Sequence, residues 1–346
     1  MTAGSAPERV AAGPLPGAAG AGHIVRPATA DDLATCAAIW RDALNDYLGR
    51  LAQPEIPEDF GPILRLYAHL LATDPTTFLV AERTAATRAA GPGGGPGTID
   101  AFVVVVRRER LAFLSMLFVR PPAQGRGLGR ILLGLALPAA ADPAAPDGVR
   151  RATATDTAQP ISNGLYGSLG LVPRVPLLRL VGLPERPGAF GRLPDGIEAI
   201  GFDEVPDGGD GLGRSALAAE LTALDRDAAG FDRSVDHPFH DREGRTGFLF
   251  RDRSGAAVGY GYTSEAGRVG PVAVRDAALL GPVLGHLLGA VRPRGAFGIW
   301  VPGSAGEAVV PLLRAGFRFD GFPVLLCWDR PFADFGRYLP VSPGLL

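Results

Sequence analysis

The 346-residue chain contains no lysine: arginine supplies all 34 basic residues, against 36 acidic ones, for a formal net charge of −2. That absence excludes a nucleotide-triphosphate loop of the Gly-Lys-Ser/Thr kind, whose lysine reaches the phosphates. It reads as the codon bias of a GC-rich coding sequence, in step with 48 glycines and 32 prolines. No block of like charge occurs either, so the basic stripe that a nucleic-acid surface requires is missing. Cysteine is scarce. Cys36 and Cys327 stand far apart in apolar surroundings, which predicts two buried reduced thiols and no disulfide framework. The five histidines form no ligand set: His237 and His240 are close in sequence, but no cysteine pair or second cluster completes a metal site. No metal is expected. No apolar run reaches the about 18–20 residues of a membrane span. Residues 1–22 are rich in Ala, Gly and Pro around a lone Arg9, which predicts a disordered tail and no signal peptide. The expectation is a cytoplasmic protein with neither nucleic-acid nor membrane partners.

Hydrophobic residues make up 47% of the chain, enough for a core in each of the two domains its length favours. Order is expected from the short strand His23-Ile24-Val25-Arg26, followed by a helix with Leu33, Cys36, Ala37 and Trp40 on one face. Residues 60–72 read as a second helix. The valine- and leucine-rich runs 99–106 and 111–119 read as central strands, with a glycine/proline loop over 91–97 before them. A helix over 127–137, a loop over 139–148, a strand at 151–155 and a short helix ended by Gly170 follow. Strand 177–181 closes the unit. Three prolines in 184–195 mark a linker, beyond which the same order of strands and helices returns. Phe118-Val119-Arg120 matches Ala273-Val274-Arg275, and Leu169-Gly170-Leu171-Val172 matches Ala315-Gly316-Phe317-Arg318. An internal repeat of this kind points to a tandem duplication.

The segment richest in chemistry runs from Leu117 to Leu133, a buried strand, a glycine-rich turn and the start of an amphipathic helix. The first amides of a helix lack partners and sit at the positive end of its dipole, and glycines let a pyrophosphate approach them. The alternation Gly125-x-Gly127-x-Gly129 is not the Gly-x-Gly-x-x-Gly of a dinucleotide site. On spacing alone, an ordinary strand-to-helix turn fits equally well.

Gln124-Gly125-Arg126-Gly127-Leu128-Gly129 resembles the Gln/Arg-x-x-Gly-x-Gly/Ala signature of the GNAT acyltransferase superfamily, with Val119-x-Pro121 as its lead-in. Asn163-Gly164-Leu165-Tyr166 through Gly170-Leu171 resembles that superfamily's Asn-x-x-x-Tyr-x-x-x-Gly-Phe pattern, one residue shorter between Asn and Tyr. The resemblance spans residues 23–181. It implies two GNAT-like α/β domains, each a mixed, mostly antiparallel sheet flanked by helices: a catalytic one over 23–183 and a second over 196–346. It also implies that Leu117, Phe118 and Val119 hold the pantetheine of acetyl-CoA, the cosubstrate. Gln124, Gly125, Arg126, Gly127, Leu128, Gly129 and Arg130 would cradle the pyrophosphate, and Asn163 would touch the pantetheine arm. Tyr166 would protonate the departing thiolate, although by spacing alone it could simply pack with Ile161 and Leu169. The glutamate that many relatives carry before the loop is absent, for that stretch reads Leu114-Ser115-Met116. Asp156 is a candidate base, and equally a turn cap before Thr157 and Pro160.

In the second half, alignment on Val274 places Leu279 to Leu284 where Gln124 to Gly129 stand, and Leu312 where Tyr166 stands. A leucine donates no proton and Pro282 lacks an amide. The half resembles degenerate acetyltransferase-like domains without turnover. Asp225, Asp227, Phe231, Asp232 and His237 could face an acceptor there, or be surface and loop residues. The expected reaction is N-acetyl transfer to the primary amine of a small molecule or peptide by direct attack; the alternatives are a CoA-binding sensor and an O-acyltransferase.

Overall fold

The computed structural model describes residues 22–84, 95, 97–140, 148–205 and 212–346. The expected tail over 1–22, Gly22 apart, and most of the loops at 91–97 and 139–148 lie outside the described residues. Two compact units are present. One takes in the chain up to Val106 together with Met116–Ala139; the other is Arg107–Ser115 with Ala140–Leu346.

The first unit holds β1 (His23–Pro27), α1 (Leu33–Arg50), α2 (Gly61–Thr73), β2 (Phe78–Arg83), most of β3 (Ile99–Arg108), the end of β4 (Leu111–Val119) and α3 (Leu128–Ala136). β2 lies antiparallel between β1 and β3. The run Ala101 to Val106 is buried throughout, as a strand covered on both faces must be. Tyr67 from α2 sets its ring edge against Phe78 and Phe102, with centroids 5.9 and 5.5 Å away. α1 buries Leu33, Cys36 and Ala37 as its spacing predicts, but Ile39 takes the core position expected of Trp40, which is half-buried. Asp100 is buried near the start of β3, beside this apolar run. Arg83 donates to it at 2.6 and 3.0 Å, and the His23 ring lies 2.8 Å away. Those partners hold its carboxyl below the ordinary aspartate range against the opposing effect of burial.

The second unit is one continuous mixed sheet. β4 pairs in parallel with β5 (Arg150–Asp156) over Leu111–Leu114. After α4 (Pro160–Ser168) comes β6 (Val172–Gly182), then β7 (Glu198–Gly201), α5 (Leu212–Ala228), α6 (His237–Arg242), β8 (Thr246–Arg251), β9 (Ala257–Thr263) and β10 (Arg268–Val274). α7 (Leu280–Ala290), β11 (Phe297–Pro302), α8 (Gly306–Ala315), β12 (Arg318–Phe319), β13 (Val324–Trp328) and β14 (Tyr338–Leu339) complete the chain. From β5 the strand order is β5-β13-β6-β11-β10-β9-β8-β7.

This order explains why the units do not part at the proline-rich stretch 184–195. β13 is hydrogen-bonded to β5 on one side and to β6 on the other, and β11 and β12 also pair with β6, so a cut at the linker would sever four ladders. The stretch itself is docked. Pro187–Phe190 forms a 3-10 turn, and Phe190 joins a core built from Leu180, Val272, Leu284, Ile299 and Leu312. A Cβ at Gly285 would fall 2.7 Å from that of Phe190, so glycine there lets the segment seat against α7.

Among the described residues no helix is long and apolar enough to cross a membrane. Both cysteines are free and buried, and burial pushes Cys36 up to about 12 and Cys327 up to about 11. A titration of the native chain with Ellman's reagent at pH 8 is therefore expected to show no fast-reacting thiol, with both appearing on denaturation. A rapid thiol in the folded protein would contradict this packing.

Candidate active site

In the first unit, β4 ends at Val119 and the chain turns through a short 3-10 segment, Pro121–Ala123, before α3 begins. The Arg120 amide donates to Asp100 O at 2.7 Å, fixing the end of β4 to β3. Gly125 and Gly127 have φ of +75° and +79°, a left-handed conformation that costs other residues roughly 1–2 kcal/mol. Among the described residues a Cβ added at either would meet nothing within 4 Å, so both face open space. The first hydrogen bond of α3 runs from Ile131 N to Gly127 O. Leu128, Gly129 and Arg130 therefore lie in the first turn, where a helix has no internal acceptor for its amides. Leu128, Leu132, Leu133 and Ala136 bury the opposite face and hold the helix rigidly behind its N-terminus.

Gln124 stands apart from the other loop residues. Its amide already donates to Pro121 O, and its side chain donates to Val119 O at 2.9 Å. It braces the turn, and the amides with no role in that turn begin at Gly125. Leu117, Phe118 and Val119 are half-buried, with the Phe118 ring stacked on Phe102 at 5.7 Å.

In the second unit, Asp156 closes β5 and its Oδ1 accepts from Ala158 N at 2.9 Å. That is the turn-capping alternative, and it commits one carboxylate oxygen to the backbone. Asn163 on α4 donates through Nδ2 to the carbonyls of Asp156 and Thr157, at 3.1 and 3.2 Å. Its Oδ1 is buried without a partner among the described residues. The amide is thus anchored by its donor side and presents a bare acceptor. Tyr166, one turn on, is buried. Burial raises its pKa well above the ordinary phenol range, and a hydrogen bond with Ser162 only partly opposes that. Ser162 had no motif to mark it; its sole signal was the four-residue spacing that puts it beneath Tyr166 on the helix.

The two halves of the chain are built alike. Gly170 and Gly316 both have positive φ after their helices, and the next amide reaches back to equivalent carbonyls, Leu171 N to Tyr166 O and Phe317 N to Leu312 O, each at 3.0 Å. β10 and β11 form a second parallel ladder, at Arg268 and Val269. Aligned on Val119 and Val274, the last paired residue of one ladder, Leu114, falls on the last of the other, Val269. Beyond that point the second half fills its own opening. β14 pairs with Val272 and Ala273, and Arg337 O accepts from Val274 N at 3.1 Å. Val272 to Val274 are the counterparts of Leu117 to Val119. Gly281, the glycine left in the replaced loop, serves packing: a Cβ there would lie 3.2 Å from Phe190 O.

Residues 40–171, which include the glycine turn and the Asn163–Tyr166 helix, match the model of the acetyltransferase (GNAT) family. The segment belongs to that family. The GNAT architecture extends over nearly the whole chain. A putative acetyltransferase from Pyrococcus horikoshii aligns with 94% of this chain and 96% of its own at a TM-score of 0.64 and 17% identity. A GCN5-related N-acetyltransferase from Sphaerobacter thermophilus aligns with 93% of this chain and 99% of its own at 0.54 and 20% identity. At these identities the likeness is one of fold. No curated protein matches the sequence. Acyl transfer from acyl-CoA is the chemistry of the GNAT family, and the acyltransferase assignment rests on the matched segment.

The glycine turn generates a direct test. Gly127→Trp is expected to abolish the thermal stabilisation of the chain by acetyl-CoA, since the ring would cover the amides of the first turn. The side chain enters open space, so the folded chain should lose only the roughly 1–2 kcal/mol of a left-handed non-glycine residue. A thermal shift that survives the substitution would place the cofactor elsewhere.

Proposed function

We propose that this chain is an N-acetyltransferase of the cytoplasm that moves the acetyl group of acetyl-CoA to a primary amine on a small molecule or peptide. Its partners on this reading are the donor and the amine, with no nucleic acid, membrane or metal. The observation that carries it is the turn from Gly125 to Arg130: left-handed glycines, open space above them and first-turn amides, within a segment of the GNAT family.

Acetyl-CoA supplies the thioester. The amides from Gly125 to Arg130 and the positive end of α3 suit its pyrophosphate. The bare Oδ1 of Asn163 suits an amide N–H such as the pantetheine arm carries. Leu117 to Val119 would line the same arm through backbone groups. As the C–N bond forms and the C–S bond breaks, the amine loses a proton and the thiolate gains one. Tyr166 holds a proton at its hydroxyl for that sulfur, and its raised pKa keeps it protonated across the range in which amines become nucleophilic. Asp156, with Oδ1 in a turn, is a weaker candidate for the amine's proton than solvent water. Both cysteines are buried thiols, so direct attack on the thioester is favoured over a covalent intermediate.

Tyr166→Phe is expected to lower kcat by roughly 10²–10⁴-fold with little change in acetyl-CoA affinity. Because a raised pKa leaves the phenol neutral, the wild-type rate should show no loss from its ionisation below about pH 10. CoA-thiol release over an amine library provides the assay. Unchanged turnover in the variant would leave Tyr166 a core residue, and binding without any release would favour a CoA sensor.

The second half should take no acyl-CoA, because β14 holds the backbone positions equivalent to Leu117–Val119. Calorimetry is expected to give one acetyl-CoA per chain. Two equivalent sites would contradict that expectation.

A further inference from the structure

The second unit buries a dense set of polar side chains that acyl transfer does not use. Asp225 on α5 accepts a short hydrogen bond from Tyr260, and its other oxygen lies 2.8 Å from Nε2 of His237. His237 Nδ1 in turn meets the Tyr262 hydroxyl at 2.9 Å. Asp236 is gripped by both arms of Arg108, Nη2 to Oδ1 at 2.7 Å and Nε to Oδ2 at 3.1 Å. Both carboxylates are thereby committed.

Arg233 lies among these groups and is 0% exposed. Its Nη1 donates to the Tyr338 hydroxyl at 2.6 Å. Its Nε and Nη2 are buried with no hydrogen-bond partner among the described residues. Asp236 Oδ2 comes no nearer to Nε than 4.0 Å and is already held by Arg108. The free pair of nitrogens is informative. Nε and Nη2 form one edge of the guanidinium, the fork that takes both oxygens of a carboxylate in parallel hydrogen bonds. His240, equally buried, has both ring nitrogens without a partner among the described residues, as does Nε of Arg245. Burial holds the His240 ring neutral, and the charges of Arg245 and Arg233 act in the same direction. A neutral imidazole keeps one N–H to donate. Leaving a buried charged donor unpaired is among the costlier arrangements in a protein interior.

We propose that the second unit binds a small carboxylate anion, with both oxygens on Nε and Nη2 of Arg233 and a further donor from His240. The glycine loop is lost from this half, yet the half keeps a recognition site of its own, specific for a planar monoanion. The site does not depend on the acyltransferase reading.

The test uses the full chain. The purified protein is first extracted and searched by mass spectrometry for a retained organic acid. It is then titrated with sodium acetate against sodium chloride at equal ionic strength, followed by thermal shift and calorimetry. The expected result is a retained acid, or a saturable rise in melting temperature specific to acetate. Either should be lost in Arg233→Met and kept in Arg226→Met, a change to an exposed arginine outside the cluster. If Arg233→Met does not fold, His240→Leu carries the test, with acetate affinity falling about tenfold or more. A chain with no retained acid and no acetate effect beyond that of chloride would overturn the proposal and leave these nitrogens to water. An effect that persists in Arg233→Met, or in His240→Leu where that variant carries the test, would overturn it too.

Discussion

A β-strand carries a backbone donor and acceptor at every residue, and those groups must be paired wherever water is excluded. The molecule faces that demand at two equivalent places, where the parallel ladders β4–β5 and β10–β11 stop at Leu114 and Val269. In the second half the answer is internal: β14 lies along Val272 and Ala273. In the first half the equivalent strand leads into a turn whose glycines face open space. The chain itself thus pairs that stretch of strand in the second copy, whereas on the proposed function the stretch in the first copy would serve a cosubstrate. The differences between the halves follow from that choice. Where β14 fills the opening, the glycine loop is replaced by Ala277–Leu279 and α7, and leucine stands at the place of Tyr166.

Much of this was legible locally. Glycines at helix ends, the alternation of Gly125 and Gly127, and the valine-rich central strands are signals carried by a few neighbouring residues. The repeat was legible too, because Val119 and Val274, and Gly170 and Gly316, sit at corresponding points in the order of elements. The division of the chain was not. The prolines of 184–195 have the composition of a linker, but only long-range pairing shows that β13 enters between β5 and β6 and that Phe190 is a core residue. Composition reports local stiffness, whereas strand insertion is decided by contacts more than a hundred residues apart.

The candidate site was readable to the same degree. The turn and the Asn163–Tyr166 helix were marked by their resemblance to a family's motifs, since spacing alone left each with a structural alternative. The bracing role of Gln124 and the hydrogen bond from Ser162 to Tyr166 had no such mark, because each is a choice between side-chain rotamers that spacing leaves open. Asp156 had two readings in the sequence, and its bond to Ala158 N favours the turn. Arg233 gave no signal at all. In a chain whose every cation but histidine is arginine, one buried guanidinium is indistinguishable by type from its solvated neighbours.

The strand β14 has a consequence for how the molecule responds to its surroundings. A fold that needs a small molecule to complete a strand edge gains stability in proportion to the logarithm of that molecule's concentration. A fold that completes the edge with its own residues does so at an effective concentration fixed by the covalent chain. The copy containing β14 is therefore indifferent to the abundance of any molecule that would lie along β10. The other copy, if its opening is filled from solution, softens and stiffens with supply.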